Sequence, residues 1–140
     1  MAWRPLAVVC GLSLLAGCAT QDIRADPHER GKIEFQAPYS RVYAGLAYSA
    51  RTCFPARGNN MDHYYTTATE LEPGTFGRIE IVHGTMIKEN PFVSLDVRAT
   101  PTGTEVEYFI SNIFFSVFDN SSSFRPIALA WAEADTRKCG

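Results

Sequence analysis

The sequence is poor in the features from which an activity is ordinarily read. No serine sits in a Gly-x-Ser-x-Gly elbow. Gly74 and Gly77 lack the lysine and the following helix of a phosphate-binding loop. No Cys-x-x-Cys pair is present, and the three histidines stand at no metal-binding spacing. Lysine and arginine form no block: 13 bases face 15 acids for a formal charge of -2, which excludes a nucleic-acid binder that relies on charge. The apolar run over residues 6–16 is too short for a membrane-spanning helix, which needs about 20 residues. What is present is ordinary globular material, 46% hydrophobic and 20% charged, in a chain of 140 residues. That excludes disorder and collagen-like repeats and points to one compact domain.

The first twenty residues are the most specific. Arg4 precedes the short apolar run, and small residues follow it, the pattern of a removable export signal. The run ends in Leu15-Ala16-Gly17-Cys18. This resembles the lipobox of bacterial lipoproteins, in which the cysteine is acylated and becomes the first residue of the mature chain. The resemblance implies a signal peptide over residues 1–17, a lipid (palmitate-type) anchor on Cys18 and export to the periplasm. Ala19, rather than Asp, after the cysteine implies sorting to the outer membrane. More than one acyl chain gives stable anchoring, because each buried CH₂ contributes about 0.8 kcal/mol.

The same reading disposes of the four cysteines. Cys10 leaves with the signal and Cys18 carries lipid, so Cys53 and Cys139 face each other in a compartment that permits disulfides. A structural bridge between them closes a long loop, for which chain entropy gives at most about 4–5 kcal/mol.

Residues 18–30 are polar, carry one proline and show no apolar periodicity, so they read as the lipidated cysteine and a tether. From Ala19 to Arg30 such a tether reaches at most about 40 Å. Residues 31–140 then form a single α+β domain. Residues 32–36 alternate and suit a strand. Ser40 is placed to cap a helix over residues 40–54, whose apolar stripe is Val42, Leu46, Ala50 and Cys53. After the loop 55–60, strands are expected over 64–71, 78–87, 92–99 and 104–111, with Gly84 marking a bulge. The clearest strand puts Val93, Leu95, Val97 and Ala99 on one side, and Ser94, Asp96 and Arg98 on the other. A last helix over residues 123–138 admits Pro126 in its first turn and carries Phe124, Ile127, Ala128, Trp131 and Ala134 on its apolar face.

The order β-α-β-β-β-β-α predicts a two-layer sandwich, a mostly antiparallel sheet with two helices on one face and solvent on the other. Element order and lipobox together resemble the helix-grip domains of small outer-membrane lipoproteins, including those of the β-barrel assembly machinery, and a group of small proteobacterial lipoproteins.

Function is read from what these elements leave over. Residues 113–118 (IFFSVF) follow a strand whose inward side is already supplied by Val106, Tyr108 and Ile110. Phe109, Ile113, Phe114, Phe115 and Phe118 are therefore either a partner surface or rings buried by a bend under the last helix. Asp62, His63 and His83 come nearest to a ligand set, but scattered histidines of this kind serve surface or packing roles, so no metal and no cofactor is expected. Glu80, Asp96, Arg98, Glu105 and Glu107 read as a solvated sheet face with cross-strand pairing. The expectation is a non-enzymatic envelope lipoprotein, held by its lipid at the periplasmic face of the outer membrane and acting as an accessory or binding module for another envelope protein. The alternative is a carrier holding a small hydrophobe or lipid between helix and sheet, lined by Tyr39, Tyr43, Tyr108, Phe109 and Trp131.

Overall fold

The structure is a computed structural model that describes residues 22–59, 61–117 and 123–139, and of 115–117 the backbone. Six strands and three helices follow in the order β1 (Glu29–Phe35), α1 (Tyr39–Cys53), β2 (Arg57–Gly58), β3 (Asp62–Glu72), β4 (Phe76–Thr85), β5 (Glu89–Thr100), β6 (Gly103–Ile110), α2 (Asn112–Val117) and α3 (Arg125–Ala132). The sheet order is β1-β6-β5-β4-β3-β2, with every neighbouring pair antiparallel. The expected α+β sandwich is thus present, with two short elements added, β2 and α2. Strands β3 to β6 form a meander because a short turn joins each to the next. β1 forms the other edge on β6, and α1 carries the chain from it across the sheet to β2 at the opposite edge.

Period-two alternation sets which side of each strand is covered. Ile79 and Ile81 of β4, Val93, Leu95 and Val97 of β5, and Val106, Tyr108 and Ile110 of β6 all join the core beneath the helices. α1 buries Val42, Leu46 and Ala50, one residue per turn along the expected stripe, and adds Tyr39 and Ala47. It begins before Ser40: Pro38 holds the N-cap position in an extended conformation with no side-chain cap, and its carbonyl accepts from Arg41 N and Val42 N.

α1 and α3 cross closely. A Cβ on Gly45 would meet the Ala132 carbonyl oxygen at 2.3 Å, so only glycine admits this approach. Four residues on, the Ser49 hydroxyl donates to the Trp131 carbonyl at 3.1 Å. Trp131 itself is wholly buried, and its indole Nε1–H donates to the Lys138 carbonyl at 2.7 Å.

α3 is shorter than its periodicity predicts. It stops at Ala132, because Ala134 turns to φ 56° and Asp135 N bonds back to the Ala130 carbonyl. This αL turn closes the helix as a glycine commonly does. The tail of residues 133–139 then returns to α1, where Cys139 is bonded to Cys53 with their Cα atoms 5.0 Å apart. Only α1 ends at its cysteine; the second cysteine is reached by the tail.

A bulge decides the fate of several rings. Ile81 pairs with Val93 and Val82 pairs with Pro91, so Phe92 is an extra residue in β5. Phe92 and Val93, although adjacent, both enter the core. The bulge expected at Gly84 is not there: Gly84 keeps regular register with His63 and Glu89. Its missing side chain serves the His63 ring, which a Cβ would strike at 2.2 Å.

Candidate functional site

The far face of the sheet, opposite the helices, is where the structure departs most from expectation. Residues 18–30 read as a tether from the sequence; in the structure β1 already begins at Glu29, and Ile23 and Arg24 of the segment before it pack against the domain. Asp22 opens a turn, its side chain accepting from Arg24 N at 2.9 Å and its carbonyl from Ala25 N at 2.9 Å. His28 N donates to the Ile110 carbonyl at 2.8 Å, which hands the chain on to β1. Ile23 is 4% exposed.

Between these two fixed points the Arg24 guanidinium enters the face. It donates to Glu80 and to Asp96, at 3.1 Å each, and to the Ser94 hydroxyl. Arg78 grips the same Asp96 with two bonds, 2.8 and 3.3 Å, the fork geometry that carboxylates favour. Cross-strand register dictates this cluster: Arg78 lies opposite Asp96 and Glu80 opposite Ser94. Two cations and two anions cancel. Burial alone would raise the Asp96 pKa, but hydrogen bonds from Arg78 and then Arg24 outweigh it and hold the carboxyl below the usual carboxylate range. The same bond to Asp96 raises the Arg78 pKa. Each charged end is therefore oriented by another, an arrangement suited to holding the backbone of residues 22–28 in place.

The expected solvated charge ladder is present only away from this strap. Arg30 pairs with Glu107 at 2.6 Å and Lys32 with Glu105 at 3.1 Å, with both cations more than half exposed. Arg98 instead lies over the Phe76 ring, 3.7 Å from its centroid. Ser94 and Asp96, by contrast, are buried.

The aromatic surface expected over residues 109–118 is taken apart by the fold. Phe109 does face away from the helices, as alternation requires, but it is only 4% exposed: Arg24 and Arg30 lie 5.4 and 5.2 Å from its ring centroid. Phe114 turns the other way. The chain leaves β6 into α2 instead of extending the strand, and Phe114 enters the core, 5.3 Å from Phe124 and 6.5 Å from Phe92 between centroids. Trp131 and Phe54 complete the cluster. Ile113 is 38% exposed; the Phe115 side chain and Phe118 lie outside the described residues. Phe109 and Phe114 therefore do not form an exposed patch.

Of the residues weighed for a ligand cavity, Trp131 and Tyr108 are buried, Tyr108 packing 5.6 Å from the Phe124 ring. Tyr39 and Tyr43 stack on each other at 5.4 Å, and burial, reinforced by Glu70, raises the pKa of both. Phe109 is on the opposite face. The histidines separate too. His83 pairs with Asp62 and stacks on Tyr64, whereas His63 stacks on Tyr65 across the sheet and faces Glu89 at 3.5 Å. Among the described residues no three His, Cys, Asp or Glu side chains gather as a metal would require.

The sequence pattern does not single out Arg24, Ile23 or Glu29. The Glu29 carboxylate accepts from Phe124 N at 2.9 Å and from the Ser123 hydroxyl at 2.9 Å, so the N-terminus of α3 is capped from across the chain. The usable signals were slight: an Asp opening a turn at Asp22, one isoleucine in a polar segment, and an aspartate in the middle of the most apolar strand.

No protein-family model matches the chain, and no curated protein matches it. Among solved structures, a norcoclaurine synthase point mutant from Thalictrum flavum, in complex with a transition-state analogue, is similar over 79% of this chain and 92% of its own. Sequence identity is 11% and the TM-score 0.33, a likeness too slight to bear on fold or activity.

Proposed function

We propose that this is a lipid-anchored envelope protein: acylated at Cys18, held at the periplasmic face of the outer membrane, its domain a non-enzymatic accessory or binding module for another envelope protein. The observation that carries the reading is Leu15-Ala16-Gly17-Cys18 at the end of a short apolar run behind Arg4. Two features of the fold accord with it. Cys53 and Cys139 are bonded, as an oxidising compartment permits. The strap at Arg24 begins within a few residues of the lipid site, so a pull on the anchor is met by ion pairs on the sheet. No helix among the described residues is long and apolar enough to cross a membrane.

Intact mass spectrometry of native protein tests the anchor. The expected species begins at Cys18 and carries acyl mass; Cys18→Ala abolishes that mass and releases the protein from membranes. A native species beginning at Met1 without modification overturns the reading. Crosslinking in cells followed by capture through the domain tests the partner, with an envelope protein recovered above background as the expected result.

A further inference from the structure

The β4–β5 turn is built from the wrong residues for a turn in water. Thr85 N donates to the Lys88 carbonyl at 2.8 Å, and the Thr85 hydroxyl accepts from Ile87 N and Lys88 N at 3.4 and 3.2 Å. This closes a tight loop with Met86 and Ile87 at its centre, where Asn, Asp or Gly usually stand. Both side chains project into solvent, Ile87 94% exposed and Met86 71%. Beside them a second turn does the same. Asn59 N donates to the Asp62 carbonyl, its side chain accepts from Met61 N and Asp62 N, and Met61 is 69% exposed. Asp62 pairs with Thr85, so the two turns are neighbours. Three large apolar side chains thus crown one end of the sheet, with Lys88 next to them.

The course of the N-terminus says what meets this crown. Ile23 and Lys88 line the same open cleft, so the strap arrives at the crowned end. From Cys18 to Asp22 the chain can span at most about 14 Å. Resting on the reading of Cys18 as a lipid anchor, we propose that Met61, Met86 and Ile87 enter the interfacial region of the bilayer in which the acyl chains sit, with Lys88 at the head-group phosphates. The domain then stands on the membrane in one orientation, fixed at two points: the lipid through Arg24, and the crown. Apolar tips buried beside an acyl anchor supply the second signal that stable, oriented attachment requires.

The test uses full-length acylated protein in vesicles of phosphatidylethanolamine and phosphatidylglycerol. An environment-sensitive fluorophore is placed by Ile87→Cys at the crown or by Thr102→Cys in the turn at the opposite end of the sheet. Doxyl-labelled lipid is expected to quench the probe at 87 at least about twofold more than the probe at 102, given burial to head-group depth. In the protein probed at 87, Met61→Ser with Met86→Ser should reduce that quenching. None of these positions is in the core, so folding is unaffected. If the protein floats with the vesicles and carries acyl mass while both probes stay equally unquenched, the crown does not touch lipid and the inference is overturned with the anchor intact. If Cys18 is unmodified and the protein does not float, the anchor reading itself fails and the inference falls with it.

Discussion

The two faces of the sheet are closed by opposite means. On the helix side, α1 and α3 bring apolar stripes onto Ile79, Ile81, Val93, Leu95 and Val97, and five aromatic residues fill one end of the layer between. On the far side, a short polar segment lies across the strands and is held by one arginine among carboxylates. The first closure is non-directional and scales with apolar area. The second is directional, and it works only because each charge that loses water finds a partner. A face can therefore be covered without being apolar, and Asp96 in the middle of β5 marks the place where this happens.

The contrast is broken most severely from the helix side. Trp131→Ala removes the indole that joins α1, α3 and the tail, and is expected to cost about 3–5 kcal/mol of unfolding free energy by denaturant titration. A cost under about 1 kcal/mol would mean that α3 is not part of the cooperative core. Next comes the bridge between the end of α1 and the tail that follows α3. Its partners are 86 residues apart, and Cys53→Ser with Cys139→Ser should lose about 2–4 kcal/mol, with unmodified protein gaining two alkylatable thiols only after reduction.

On the far face, Asp96→Asn leaves Arg78 and Arg24 short of a charge. The expected loss is about 2 kcal/mol, less than for a fully buried pair because both arginines keep some solvent. Its pH dependence is specific. The native carboxyl is held below its unfolded value near about 3.9, so the group stabilises the fold above that pH and the contribution fades as pH falls through the lowered native value. Stability curves of the parent and Asp96→Asn should converge below about pH 4; curves that stay parallel would show that the ion pair is not the cause. Arg24→Ala should cost about 1 kcal/mol and, more tellingly, speed hydrogen exchange at residues 23–28 while leaving α1 protected. Glu107→Gln, on the exposed ladder of the same face, should change stability by less than about 1 kcal/mol. The spread between Asp96 and Glu107 measures what the buried Arg24–Asp96–Arg78 cluster adds beyond an exposed ion pair.

The helix side was readable in advance because its signals are periodic. Val42, Leu46 and Ala50 recur with the helical repeat, and Val93, Leu95 and Val97 with the strand repeat, so the burial of each follows from its neighbours. The far face was not readable. Nothing in Arg24 or Asp96 taken singly distinguishes a strap from a solvated charge, since the pairing joins residues 72 positions apart. The aromatic stretch shows the same limit: alternation along β6 turns Phe109 to the far face, while the turn into α2 sends Phe114 into the core.

Local pattern alone thus dictated the strands, the stripe of α1 and the turns between strands, because each depends on residues a few positions apart and on repeats of two or 3.6. Tertiary packing decided where the polar segment before β1 would rest, which rings would be covered and where α3 would stop. Those outcomes depend on register across the sheet and on charges brought together from distant parts of the chain, and a one-residue bulge reverses them while leaving the local pattern unchanged.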